Sequence, residues 1–163
     1  MNRDAFDDLM TGLDSAMIVV TACDGRERAG CLVGFHSQCS IEPARYAVWL
    51  SKANHTYLVA LRSTHLVVHF LAEHDRELAE RFGGETGDEV DKFAGVEWTP
   101  GPDGVPMLTA CPNRIVVRRT VLLDETSDHA CVMTEPIEIS VTPGFVPLRY
   151  ASVRDIDAGH DAR

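Results

Sequence analysis

The sequence predicts a mainly β fold, all-β or α+β: a small closed or partly closed antiparallel sheet with a few short helices. Three observations carry it. Apolar runs of five to seven residues, too short for buried helices, recur at 16–22, 46–50 and 65–71. Two later runs, around 115–123 and 137–141, show apolar residues of one parity. Helical patterns are few and do not alternate regularly with the strands, as a parallel β-α-β sheet requires. The 163 residues amount to about one domain.

Taken in order, Phe6, Leu9, Met10 and Leu13 form one stripe of a short helix over residues 4–13, which Asp4 can cap. The near-continuous apolar run at 16–22 reads as a buried strand, and Asp24-Gly25 as the tight turn after it. A second long strand is expected from Glu27 to Cys39 and a third over 46–50. Asn54 can cap a helix in which Tyr57, Leu58 and Leu61 share a face. A Val- and Leu-rich strand follows at 65–71. Residues 73–82 make an acidic helix with Leu78, Ala79 and Phe82 inward, ended by a left-handed residue at Gly83-Gly84. The Gly-, Pro- and Asp-rich segment 83–106 is a long excursion anchored by Phe93, Val96 and Trp98. Ile115, Val117, Val121 and Leu123 share a parity in one strand, Ile137, Ile139 and Val141 in the next, with Ser127-Asp128-His129 between.

The net charge of −10 argues against nucleic acid and against a polybasic membrane surface, both of which need attraction to phosphate. Residues 1–14 and 73–91 carry −9 of it, whereas residues 15–72 stand at +2. No run is long enough to cross a membrane as a helix, and the first residues lack the form of an export signal, so a cytoplasmic protein is expected. Five cysteines without C-x-x-C pairs read as small hydrophobes rather than a disulfide framework. His65 and His69 lie ~13 Å apart on a strand, too far for one metal ion, so no metal is expected.

Neither of the two common glycine-rich phosphate loops occurs, and no nucleophile elbow marks a hydrolase. One local arrangement stands out. Lys52, Asn54, His55 and Thr56 lie where a strand gives way to a helix, a place that favours anions. An ordinary capped helix start, with Lys52 solvated, is the other reading of the same residues.

Gly30–Pro43 (G-C-L-V-G-F-H-S-Q-C-S-I-E-P) is similar to the stretch G-M-T-A-N-S-F-T-S-V-S-x-D/E-P-P of the flavin reductase-like family, the FMN-binding split-barrel proteins. Lys52-Ala53-Asn54-His55-Thr56-Tyr57 resembles that family's K/R-x-S/N-x-T-Y/W. Arg81-Phe82-Gly83-Gly84, Asp91–Val96 with Trp98, and Ser127-Asp128-His129 look like its R-F-x-G, D-K-F-x-G-V/I-x-W and G-D-H. The ordered likeness runs from about Phe6 to Tyr150.

The resemblance implies a split-barrel domain over 1–150 with a polar tail at 151–163, assembled as a homodimer. It implies FMN or FAD as cofactor and NAD(P)H as co-substrate, with reduced flavin passed to a monooxygenase component. Lys52, Asn54, His55 and Thr56 would hold the flavin phosphate. Val33, Gly34, Phe35, His36, Ser37, Gln38, Cys39 and Ser40 would run along the ring and ribityl chain, and His129 would place the nicotinamide. Two departures stand in Val33-Gly34-Phe35-His36, where the family has A-N-S-F. They leave open FMN, FAD or a deazaflavin, and a second reading: a split barrel that binds flavin, deazaflavin or haem without nicotinamide turnover. His36 is also open to a purely local hydrogen-bonding role, and His129 to that of a turn residue.

Overall fold

A computed structural model describes residues 1–85, 90–124 and 126–159. Helix α1 (Arg3–Gly12) leads into β1 (Ile18–Cys23), β2 (Arg28–Val33), β3 (His36–Ser40) and β4 (Arg45–Ser51). Then come α2 (His55–Ala60), β5 (His65–Phe70), α3 (Arg76–Gly83), β6 (Trp98–Pro100), β7 (Pro106–Leu108), β8 (Arg114–Leu123) and β9 (His129–Ser140). Seven strands form one antiparallel sheet in the order β2-β1-β5-β8-β9-β4-β3, with β6 and β7 as a separate pair.

The two edges of that sheet, β2 and β3, are consecutive in the chain and separated only by Gly34-Phe35. Two residues span no more than ~10 Å, so the sheet must curl until its edges nearly meet. The long strand expected over 27–39 is therefore two strands on opposite edges, with the break at Gly34-Phe35. Inside the curl, Ile18, Val20, Val48, Leu50, Leu66, Val68, Val117 and Val132 pack together, with Val59 and Ala60 of α2 joining them. Burying one such side chain stabilises by ~1.5–3 kcal/mol.

A second core lies on the outer side of β1, where Val19 meets Phe82 and Ala79 of α3, Leu108 and Phe93. Strand β1 is thus covered on both faces, which is why residues 18–22 read as a near-continuous apolar run, interrupted only by Thr21, rather than an alternating one. Phe93, Val96 and Trp98 anchor the excursion as expected. Part of that excursion, with Asp88 and Glu89 of the acidic run, lies outside the described residues. The tail also packs on this side. Val153 and Ile156 join the second core, Arg76 pairs with Asp155 at 2.8 Å, and the Gly159 N–H donates to the Gly83 carbonyl.

Several local expectations change. Helix α1 is capped by Asn2, whose side chain accepts from the Ala5 N–H, not by Asp4, and its apolar stripe stays exposed. Helix α3 starts at Arg76 rather than Glu73, because the Asp75 carboxylate turns back to accept from the Ala72 N–H at 2.7 Å. Gly84 ends that helix in a right-handed conformation. The demand at Gly83 is close packing: a Cβ there would sit 2.7 Å from Leu32 Cδ2. Register shifts after Val116 and Arg119 break the parity of β8, so Val117 points inward while Val121 and Leu123 face outward. Ile137, Ile139 and Val141 are exposed as well. Cys31 and Cys111 are buried as expected, Cys23 and Cys131 are half-buried, and Cys39 is exposed.

His65 and His69 both fall on β5, with separate partners. His65 pairs with Asp103, while buried His69 lies between two backbones. The Val19 carbonyl can only accept, so His69 Nδ1 carries the proton, and Nε2 accepts from the Leu108 N–H at 3.0 Å. Burial pushes its pKa down from 6.5 to about 3. The unfolded chain therefore binds a proton here that the folded chain does not. This contribution to stability is complete above pH 6.5 and is lost as the pH falls toward 3, by up to ~1.4 kcal/mol per pH unit. Urea unfolding between about pH 7 and about pH 5 should show this loss, and His69→Gln should flatten the slope by about one proton. An unchanged slope would contradict a neutral, buried His69.

Candidate functional site

The closure of the sheet leaves a cavity of ≈ 690 Å³ beside the β2–β3 junction. Gly34 and Phe35 form its inner wall, and the Phe35 carbonyl accepts from the Trp49 N–H of β4 at 2.9 Å, which fixes the turn. Trp49 faces away from the core because its neighbours Val48 and Leu50 face into it. Ser51, the last residue of β4, pairs with His129, the first of β9. The His129 ring leans on Phe35 with centroids 5.0 Å apart, and its Nδ1 lies 2.8 Å from Asp128 Oδ1. That contact holds the Asp128 carboxyl below its usual range.

The turn after β4 is tied to the same corner. The Lys52 N–H donates to the Asp128 carbonyl at 2.9 Å, and the Ser127 hydroxyl donates to the His129 carbonyl at 2.7 Å. The Lys52 ammonium and the Tyr57 hydroxyl meet the two oxygens of Asp124. The Lys52 contact, and then that of Tyr57, keep the Asp124 carboxyl below its ordinary value; the hydrogen bond to Asp124 raises the Tyr57 phenol. The Asn54 side chain accepts from the Thr56 N–H at 3.0 Å and so caps α2. Thr56 is buried, and His55 Nε2 lies 3.2 Å from Glu27.

Of the residues singled out in the sequence, Val33, Gly34, Phe35, Asn54 and His129 line the cavity together. Lys52, His55 and Thr56 lie in the adjoining turn and do not line it. Ser37, Gln38 and Cys39 are exposed on edge strand β3, with Ser40 half-buried at its end. His36 is turned to the sheet. Its Nε2–H donates to the Ala16 carbonyl at 2.6 Å, which leaves Nδ1 to accept from the Tyr46 hydroxyl at 2.6 Å. Burial lowers the His36 pKa and pushes Tyr46 up to about 12.

Sequence reasoning missed Trp49 and Ser51, although the inward parity of Val48 and Leu50 already placed Trp49 on the other face. It also missed Met10 from α1 and Tyr150 and Arg154 from the C-terminal segment. No local signal marks these, because α1 and the tail reach the cavity only through tertiary packing. Apolar Val33, Phe35 and Trp49 beside polar Ser51, Asn54 and His129 make a wall suited to binding and orienting a flat, polar heterocycle. Among the described residues, no helix is long and apolar enough to cross a membrane.

Residues 10–154 match a family model described as "Flavin reductase like domain". The chain is 28% identical over 164 residues to the ferric-chelate reductase (NAD(P)H) of Archaeoglobus fulgidus, covering 100% of this chain and 95% of that protein. It is 30% identical over 95 residues to HsaB, the reductase subunit of a flavin-dependent monooxygenase from Rhodococcus jostii, covering 58% of this chain and 47% of that subunit. Its fold superposes with a TM-score of 0.80 on a flavin reductase domain protein from Arthrobacter sp. FB24, at 22% identity, over 90% of this chain and 89% of that one.

The shared carboxylate at the 52–57 turn has a direct readout. Asp124→Asn should lower the phenol titration of Tyr57 toward its ordinary value, followed by ultraviolet absorbance with Tyr57→Phe identifying the signal. An unchanged titration would contradict the Tyr57–Asp124 bond.

Proposed function

The chain belongs to the flavin reductase-like domain family, and from that premise we propose that it is an NAD(P)H:flavin oxidoreductase. The observation that carries the reading is the ≈ 690 Å³ cavity at the β2–β3 junction, whose wall sets apolar Val33, Phe35 and Trp49 beside polar Ser51, Asn54 and His129. Gly34 has no side chain to hold the ring off the backbone, and the nearest atom a Cβ there would meet is Met17 Cε at 3.7 Å. When bound, flavin supplies the redox chemistry, taking hydride from reduced nicotinamide and passing electrons on.

The work left to this chain is orientation and exclusion of water. In this reading Gly34, Phe35 and Trp49 bracket the ring, and the backbone of the Val33–Phe35 stretch, the part of 33–40 that lines the cavity, faces it. Lys52, Asn54, His55 and Thr56 hold the phosphate end, supported by the ammonium of Lys52 and by Asn54 reaching the cavity wall. His129, set by Asp128 and leaning on Phe35, positions the nicotinamide.

Two further parts of the reading rest on surface chemistry and on the relatives. Exposed Leu123, Ile137, Ile139 and Val141 leave apolar surface along β8 and β9 that a second copy of the chain covers in this reading, giving a homodimer. A monooxygenase component receives the reduced flavin, as the role of HsaB suggests by analogy. Five free cysteines suit a reducing compartment, the cytoplasm.

The test is an anaerobic absorbance titration with FMN and FAD, followed by NADH or NADPH. Bound flavin bleached by a nicotinamide is the expected result. Flavin that binds but stays oxidised with both would instead indicate a carrier. The double variant Lys52→Ala, Thr56→Ala should weaken flavin binding about tenfold or more. His129→Ala should raise the nicotinamide KM several-fold while moving flavin affinity by less than about twofold. Unchanged values would remove the roles given to these residues.

A further inference from the structure

We infer that a second cleft, beside the 52–56 turn, receives the adenosine diphosphate end of a dinucleotide; this rests on the flavin reading above. The cleft measures ≈ 390 Å³ and is lined by Arg26, Arg28, Gly30, His55, Lys92 and Phe93 among others. It adjoins the main cavity at two places in the chain. Cys31 and Asn54 line the main cavity, while their neighbours Gly30 and His55 line the cleft. Of the proposed phosphate turn, Asn54 faces the main cavity and His55 the cleft.

The chemistry of the cleft suits an adenosine diphosphate group. Arg26, Arg28 and Lys92 face Glu27 and Asp91, a surplus of one positive charge in a chain of net −10. Glu27 is engaged elsewhere, by Arg62 at 3.0 Å and by His55 at 3.2 Å. The guanidinium of Arg26 is exposed and has no ion-pair partner among the described residues. It is placed to take a phosphate oxygen through charge-assisted hydrogen bonds.

Arg28 offers a different property. Its guanidinium lies over the Trp98 ring at 5.1 Å and the Phe93 ring at 5.7 Å, with only a long contact of 3.7 Å to Asp91. The side chain is 43% exposed, so a flat cationic surface backed by aromatic rings remains open to solvent. A purine can stack there. The floor is built in advance. Lys92 Nζ donates to the Gly30 and Phe82 carbonyls at 3.1 and 3.0 Å, and Arg81 Nε donates to the Lys92 carbonyl at 3.0 Å. A diphosphate contact and a purine shelf side by side describe an adenosine diphosphate group.

Two dinucleotides carry this group, FAD and NAD(P)H, and the experiment separates them. Calorimetric titration of the full chain with ADP should show binding that Arg26→Ala and Arg28→Lys each weaken about tenfold. FMN affinity should stay within about twofold, which also shows that the variants fold. If FAD is the source, its affinity falls with that of ADP while the KM for NAD(P)H stays. If NAD(P)H is the source, its KM rises while FAD affinity stays. Wild-type protein that binds FMN but not ADP overturns the cleft alone, as does ADP binding that neither variant changes. Protein that binds neither FMN nor ADP overturns the cleft and the flavin reading together.

Discussion

The structure depends on the two-residue link between β2 and β3. Gly34-Phe35 ties together the first and last strands of a seven-stranded sheet, so the sheet has no freedom to lie open. Exposed strand edges are a liability, and here the curl brings the two edges close together without pairing them. The curl also creates the inner core, and at the seam where the edges fail to pair it leaves the main cavity. The bond from the Trp49 N–H to the Phe35 carbonyl then fixes the seam against β4. Fold and site are consequences of one constraint.

Around that seam the chain spends polar groups on holding residues still. Asp128 orients His129, Asp124 gathers Lys52 and Tyr57, and the Lys52 and Asp128 backbones are bonded to each other. His36 spans from β3 to Ala16 and Tyr46, fastening the far side of the same turn. A chemistry performed by a bound cofactor needs this kind of support more than it needs a nucleophile. The charge is divided unevenly along the chain. The acidic surplus belongs to residues 1–14 and 73–91, from which Asp7 reaches the main cavity and Asp91 the second cleft, whereas residues 15–72, with the 52–56 turn, stand at +2.

Much of this was legible. Short apolar runs, the Asp24-Gly25 turn with Gly25 at φ +87°, and the Asn54 cap all follow from local rules that the structure obeys. Ordered motifs extended that reading to the family. What escaped was set at longer range. Nothing in 28–40 signals that Gly34-Phe35 interrupts pairing, because both halves have strand-like sequence and only their partners differ. Register shifts in β8 reverse a parity that looks uninterrupted. Amphipathic patterning in α1 names an apolar stripe that the fold leaves exposed. Gly83 read as a helix stop, whereas Leu32, fifty-one residues earlier, is what excludes a side chain there.

A crystal structure of the protein grown with FMN is the most direct test of the seam as the functional site. The flavin ring should lie against the Gly34-Phe35 backbone, with Trp49 and His129 around it and its phosphate at the 52–56 turn. A ring bound elsewhere, with that seam filled by solvent, would contradict the assignment.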